Sequence, residues 1–593
     1  MNTVETKSCQ NCRSDFSLSD DEQVFYDHIR VPAPTWCAQC RLVRRMASIS
    51  FRFLFKNECK KCGKSLLSMY EQNAERVVYC NTCWWGDSWD AVDYGRDYDF
   101  SRPFFEQFKD LLCVIPRMAM SVDTPSMVNS DFCNGAAGLK DCYLVFHADK
   151  GERSYYSSYT KNIKDCSDVM WATNCELCYN SSSITDCFQC VYSINCEHSN
   201  NLIACRDCAG CSDCIGCAGL KNKQYYIFNK PHTKDQYEEE KRKMNLHTRT
   251  GVEEMRRKAS EVWSSAPYRY MYGKKYENCD GDYLMNCKNV HNGFRVEDTE
   301  DTTNAAVLYW NVKDSRDYTS WGNVASLIYE CAGVGEDAYD IQMSTDSWGK
   351  ISHLRYCAIC LSSQNLFGCA GMRKKQYCIL NKKYTKEAYE ELVPKIVEHM
   401  NNMPFVDEQG RTYRYGEYFP LSVLGRAYNE SVAYDFFPKT KDQALQLGSP
   451  WKDREERVTA PTLTTISDDI KNVRDDISKE MLQCVNAEAN TPDCTKVFKI
   501  IKQELDLYRK LSVPLPQKCP VCRTKDLLAL LPPLQLWDRQ CMCGGKRSTN
   551  GFYANEMEHY HGTEACSAEF KTTYSPDGPE IVYCENCYRS EFI

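Results

Sequence analysis

The sequence predicts a mainly β protein with peripheral helices, built of tandem parallel β-solenoid (β-helix-like) units flanked by N- and C-terminal cysteine modules. Three observations predict it. Cys205, Cys208, Cys211, Cys214 and Cys217 fall at every third position and lead into a strand-like segment from Gln224 to Lys230. This stretch occurs twice: a shift of 152 residues lays Gly216-Cys217-Ala218-Gly219 on Gly368-Cys369-Ala370-Gly371 and Gln224-Tyr225 on Gln376-Tyr377. The chain ends also match. A shift of 482 lays Cys12, Phe16, Glu22, Tyr26, Pro32, Cys37, Cys40 and Cys59 on Cys494, Phe498, Glu504, Tyr508, Pro514, Cys519, Cys522 and Cys541.

The N-terminal module spans residues 1–92. Cys9/Cys12 and Cys37/Cys40 are two CxxC knuckles 24 residues apart, and Cys59/Cys62 and Cys80/Cys83 are two more 17 apart. Each knuckle turns two sulfurs toward one ion, so paired knuckles make the tetrahedral thiolate sets that suit zinc. The segment is therefore a double zinc module of zinc-ribbon or treble-clef-like type. Residues 21–29 read as a short helix, stopped by Val31-Pro32-Ala33-Pro34. Arg41, Arg44, Arg45 and Arg52, interleaved with Phe51, Phe53 and Phe55, admit two readings. They suit a phosphate backbone with stacked bases, or a strand with phenylalanine inside and arginine solvated, which is the expectation.

Residues 93–135 read as a linker with a helix from Phe104 to about Cys113. Beyond it, Asp-Cys pairs at Cys142, Cys166, Cys187 and Cys208 are spaced by 24, 21 and 21 residues. That spacing predicts coils of about 20 to 25 residues. The first solenoid unit is set at 136–268 and the second at 269–402, each closed by a charged helix beginning after Thr233 or Thr385. Inside such coils the expectation is a ladder of packed thiols; the rival is a metal-rich thiolate array. Residues 403–483 are mixed, with Ile470, Val473, Ile477 and Met481 at the spacing of an amphipathic helix.

The C-terminal module, 484–593, is an imperfect copy. Tyr79-Cys80 and Cys83 meet Tyr583-Cys584 and Cys587 only at a shift of 504, so this copy carries a 22-residue insertion. Its expected ligands are Cys494, Cys519 and Cys522 in one site and Cys541, Cys543, Cys584 and Cys587 in the other. Thr491 stands where Cys9 would put a thiol, and Cys484 is the nearest replacement. Cys566, His559 and His561 are further candidate ligands, although the two histidines are expected to be exposed loop residues.

Val31-Pro32-Ala33-Pro34-Thr35-Trp36-Cys37, Tyr79-Cys80-Asn81-Thr82-Cys83-Trp84-Trp85, Asp93-Tyr94-Gly95-Arg96-Asp97, Asn222-Lys223-Gln224-Tyr225-Tyr226 and Ile581-Val582-Tyr583-Cys584 carry a resemblance. The chain resembles, over nearly its whole length, a family of cysteine-rich zinc-ribbon proteins from candidate-phyla-radiation bacteria (Patescibacteria). The resemblance implies zinc at both ends and brings no activity with it.

Composition bounds the rest. Cysteine numbers 38 in 593 residues, several times ordinary usage. The first residues lack a basic, then apolar, leader, and no apolar run approaches the roughly 18 residues of a membrane span. A cytoplasmic, reducing setting is expected, where thiols are ligands or small buried groups rather than disulfides. A net charge of -8 argues against a non-specific nucleic-acid coat. The sequence has no phosphate-binding glycine loop, GxSxG or HExxH. These readings converge on a non-enzymatic structural or interaction protein holding about four zinc ions, which binds a protein partner or self-assembles. The alternative is a nucleic-acid-binding zinc protein contacting RNA or DNA through Arg41, Arg44, Arg45 and Arg52. A metal-storage or redox protein comes third.

Overall fold

The computed structural model describes residues 5–72, 76–453, 466–489 and 493–592. The chain divides into two compact units that do not follow sequence order. One comprises Met1–Met120, Met271–Lys452 and Leu534–Leu536; the other comprises Ser121–Tyr270, Asp453–Pro533 and Trp537–Ile593. Each unit therefore joins a cysteine module to the strand-rich segment that is not its neighbour in the chain: the N-terminal module to residues 271–402, the C-terminal module to residues 121–270.

In the second unit, Asn134–Lys140, Phe146–Glu152, Ser158–Lys164, Ser167–Glu176 and Tyr179–Thr185 form a five-stranded parallel sheet. Successive strands pair with an offset of 12 residues, as in Ser167 with Tyr179, and isolated parallel bridges continue it through Tyr179, Val191 and Ile203. The chain thus returns alongside itself every 12 residues. That corrects the expected 20 to 25; the Asp-Cys spacings sample nearly two turns each.

The turn is assembled from tripeptides. From Asp165 to Asp207 every third residue has a positive φ, among them Asp168, Trp171, Asn174 and Leu177. The residue after each one is buried. Cys166, Val169, Ala172, Cys175 and Cys178 belong to one apolar core that runs on through Cys205, Cys208, Cys211, Cys214 and Cys217. A left-handed residue turns a corner of the chain, which explains the Asn, Asp and Gly at many of these positions. Cysteine, valine, alanine, isoleucine and leucine fill this interior.

The first unit repeats the plan in a 12-stranded, largely parallel sheet that begins at Gly273–Glu277. Its first turn is offset by 11 residues (Gly273 with Leu284), turns toward either end keep 12 (Leu284 with Val296, Leu354 with Leu366), and the middle turns take 13 (Val312 with Ala325, Ala325 with Ala338). The added residue sits at one corner, where two left-handed residues follow each other at Trp310/Asn311, Asn323/Val324 and Glu336/Asp337.

Helices Lys234–Lys243 and Lys386–Asn402 follow the last strands, as the threonine caps predict, with the side chains of Thr233 and Thr385 accepting from the N–H groups of Gln236 and Ala388. A further helix, Arg249–Ser265, went unread in the sequence. Phe104–Val114 and Asp20–Ile29 are helices where expected. The amphipathic helix expected before Gln483 is instead two short 3-10 turns, Ile470–Asn472 and Asp475–Lys479, although Ile470, Val473 and Ile477 are buried as the spacing requires. Among the described residues no helix is long and apolar enough to cross a membrane.

Candidate metal centres

Four sites share one construction: a short antiparallel hairpin ends in the first ligand pair, and a helix N-terminus brings the second. In the N-terminal module the hairpin Glu5–Ser8/Asp15–Leu18 carries Cys9 and Cys12, and Cys37 caps the helix Ala38–Ala47 with Cys40 in its first turn. Phe55–Glu58/Ser65–Ser68 carries Cys59 and Cys62, facing Cys80 and Cys83 at the start of Asn81–Trp85. In the C-terminal module Cys484 and Cys494 lie beside the pair Leu482–Gln483/Val497–Phe498 and face Cys519 and Cys522 of Pro520–Leu528. Trp537–Gln540/Glu569–Thr572 flanks Cys541 and Cys566, which face Cys584 and Cys587 at the helix Glu585–Phe592.

In every site the cysteine before the helix donates its N–H to the first sulfur: Cys37 to Cys9 at 3.2 Å, Cys80 to Cys59 at 3.2 Å, Cys519 to Cys484 at 3.3 Å, Cys584 to Cys541 at 3.2 Å. Such donors and the helix N-terminus stabilise a thiolate. Within each quartet the four sulfurs lie within 4.8 Å of one another. A tetrahedron with metal–sulfur bonds of about 2.3 Å has an edge of about 3.8 Å. The pairs Cys12/Cys37, Cys62/Cys80, Cys494/Cys519 and Cys566/Cys584 stand at 3.7, 4.0, 3.9 and 3.9 Å.

Such crowding splits the thiols. Hydrogen bonds from Cys541 and Cys587 hold the Cys584 thiol down to about 2, while the same contacts with Cys541 and Cys584 push Cys587 far up. Hydrogen bonds from Cys37 and Cys40 likewise hold Cys9 low, while those with Cys37 and Cys9 raise Cys40. Thiolates this close repel one another, so four at this spacing require a cation between them. These quartets can therefore hold metal ions.

Two expectations about ligands change. Cys543 does not join Cys541; Cys566 completes that quartet, and Cys543 lies instead with His559, His561 and Cys587. The histidines are not exposed loop residues: the insertion folds inward, leaving His559 only 4% exposed and His561 partly buried. Cys484 fills the third quartet, and Thr491, the aligned residue, lies outside the described residues.

The arginines are corrected too. Residues 38–47 form a helix rather than a strand, and Arg41, Arg44 and Arg45 are at most 1% exposed. Arg41 Nε pairs with Asp317 at 3.0 Å, Arg44 with Glu330 at 2.7 Å and Glu417 at 3.0 Å, and Arg45 with Asp317 at 3.0 Å. Arg52 pairs with Asp435. The three buried guanidinium groups dock the cysteine module on the parallel sheet, out of reach of a phosphate backbone. The other unit repeats the device. Arg523, which the 482-residue shift aligns with Arg41, pairs with Asp168 at 3.1 Å and Glu504 at 3.0 Å. Tyr26 meets Tyr329 edge-on at 5.3 Å, and the aligned Tyr508 meets Tyr179 at 5.1 Å. Sequence reading missed these contacts; their acids, Asp317 and Glu330, stand one 13-residue turn apart.

The interior cysteines behave differently. Cys175, Cys187, Cys205 and Cys214 donate S–H to the carbonyl two residues before, at 3.2 to 3.6 Å, and Ser181 and Ser193 do the same with their hydroxyls. These side chains also accept from the inward N–H one turn later: Ser193 Oγ from Cys205 at 3.1 Å, Cys211 Sγ from Lys223 at 3.5 Å.

No family model matches the chain, and no curated protein does. Among solved structures, a provisionally assigned acetyltransferase from Desulfovibrio desulfuricans G20 aligns with 49% of this chain and 85% of its own, at 8% identity and a TM-score of 0.10. Likeness that slight carries no argument.

Proposed function

We propose that this chain is a non-enzymatic zinc-binding structural and interaction protein: a rigid β-solenoid scaffold whose terminal zinc modules engage a protein partner or a second copy. The observation that carries the reading is the closure of the metal centres. Each of the four quartets supplies four protein sulfurs, which fills a tetrahedral shell and leaves no position for water or substrate. Sulfur-only tetrahedral sets favour zinc or iron over hard cations, and zinc gives the structural role its usual chemistry. A self-pairing chain with a packed interior suits a scaffold. Phe552 and Met557, exposed on the C-terminal insertion, offer apolar contacts for a partner.

Elemental analysis of the full chain, purified under reducing conditions, tests the reading, alongside the ultraviolet absorbance ratio and sedimentation velocity. At least four zinc ions per chain, no iron and a protein-only spectrum are expected. Iron or colour would move the reading to a redox or storage protein. A salt-sensitive nucleic-acid complex would replace it with the nucleic-acid reading, through residues other than the buried arginines.

A further inference from the structure

We propose that the C-terminal module binds two ions, with the Cys587 thiolate bridging them. One is held by Cys541, Cys566, Cys584 and Cys587; the second by Cys543, His559, His561 and Cys587. This rests on the metal-binding reading above and adds to it a mixed sulfur–nitrogen site that the other three quartets lack.

The donor atoms of the second group lie within 4.8 Å of one another. His559 Nδ1 is 3.3 Å from Cys543 Sγ, and His561 Nε2 is 3.3 Å from Cys587 Sγ. The nitrogen–sulfur edge of a tetrahedral zinc site is about 3.6 Å, so both pairs sit close to coordination spacing.

What lies behind the rings makes the case. A metal-binding imidazole gives its other nitrogen's proton to a fixed acceptor, which sets the tautomer and aims the lone pair. His559 Nε2 faces the Glu591 carboxylate at 2.9 Å, and His561 Nδ1 faces the Glu564 carbonyl at 2.7 Å. Each ring thus turns its free nitrogen toward a thiol. Glu591 is itself fixed by the N–H groups of Glu556 and Met557 and by the Tyr553 hydroxyl, at 3.0 to 3.1 Å. Asn555 Nδ2 donates to Cys543 Sγ at 3.2 Å and accepts from Tyr583 through its oxygen.

A thiol, an imidazole and a carboxylate in line also describe an activated nucleophile. Burial rules that out here: Cys543 and the side chains of His559 and Glu591 are fully enclosed, so no substrate reaches the sulfur. The sequence supplies the reason for the insertion. Relative to the N-terminal copy it adds His559 and His561, while Cys543, just before it, stands where the N-terminal copy has Lys61, and Cys587 keeps the place of Cys83.

The test is zinc per chain in the full-length protein and in C543S and the double variant H559N/H561N, with magnetic measurements on the cobalt(II)-substituted wild type. Five ions in the wild type, four in each variant and a spin-coupled cobalt pair are expected. Four ions in the wild type would overturn the second site and leave the four-quartet reading standing; no zinc at all would overturn both. Five ions in variants shown by circular dichroism to be folded would overturn these ligands. Should the variants fail to fold, the wild-type cobalt protein decides alone, and five uncoupled ions would overturn the bridge.

Discussion

Cysteine is arranged in two ways in this chain, and the terminal modules and the parallel-stranded interiors set them side by side. In the modules four sulfurs converge on one point at near-tetrahedral edges and receive N–H groups at a helix N-terminus. In the interiors the sulfurs are spread along the turns, and each S–H reaches a carbonyl two residues back, as Cys187 does at 3.4 Å and Cys217 at 3.3 Å. Sulfurs strung along the turns in this way do not converge on a single point as the module quartets do. Convergence separates candidate ligands from packed thiols, where cysteine content alone cannot.

The largest effect that sharpens this comparison is metal removal. With zinc bound as proposed, the ion would contribute on the order of 10 kcal/mol to a small module, so a strong chelator, or Cys37→Ser, should unfold the N-terminal module. Limited proteolysis reads this directly: cleavage within residues 5–94 should appear while the parallel-stranded segments stay resistant. Equal loss of both would mean that the interior thiols also hold metal.

Next come the buried ion pairs. Removing one partner of a buried pair costs about 3–5 kcal/mol, because the other charge is left without compensation. Arg45→Ala leaves the buried cluster of Arg41, Arg44, Arg45, Asp317, Glu330 and Glu417 one positive charge short: Asp317 keeps Arg41 but loses a partner at 3.0 Å, and Thr319 loses a donor at 3.0 Å. Denaturant unfolding should show a loss of that size in the first unit, whereas a surface change such as Lys386→Ala, at an exposed i,i+4 pair, should cost less than about 1 kcal/mol.

The corresponding pair in the second unit adds a pH signature. Burial pushes the Asp168 carboxyl up to about 7 against the pull of Arg523, and its Oδ1 is buried without a hydrogen-bond partner. The folded state therefore keeps a proton that the unfolded chain loses near pH 4. The stabilisation this gives is fully present below about pH 4 and is lost as pH rises through about 7. Asp168→Asn should flatten that part of the stability profile, measured by thermal unfolding between pH 4 and 8. An unchanged slope would assign it to another group.

Where the sequence proved legible, local chemistry was decisive. CxxC knuckles, the Thr233 cap and the stop at Val31-Pro32 each depend on a few adjacent residues, and their structures follow. The 12-residue turn was hidden because a left-handed corner every third residue has no single residue type: Asp168, Trp171, Asn174 and Leu177 all take it. The Asp-Cys pairs gave a coarser beat because Ser, Val and Ala fill the other inward positions. Arg41, Arg44 and Arg45 misled for a different reason. Their counter-ions Asp317, Glu330 and Glu417 are remote in sequence, and no local pattern tells a buried arginine from a solvated one. The Cys566 assignment needed the fold as well, since the insertion decides which sulfur reaches Cys584.

The smallest effect tests the interior half of the comparison. At Cys211 the side chain donates to the Ala209 carbonyl at 3.5 Å and accepts from the Lys223 N–H at 3.5 Å. A hydroxyl can do both, and Ser199, one turn before in the same column, already does: it donates to the Glu197 carbonyl at 2.7 Å and accepts from the Cys211 N–H at 3.1 Å. Cys211→Ser should therefore change stability by less than about 1 kcal/mol. Cys211→Val is close in shape but takes the acceptor from the part-buried Lys223 N–H, which should cost more than the serine change, up to about 1–3 kcal/mol. Denaturant unfolding of the two variants separates the mechanisms. If serine destabilises more than valine, the thiol acts there through apolar packing alone; if both abolish folding and release metal, the interior cysteines belong with the ligands.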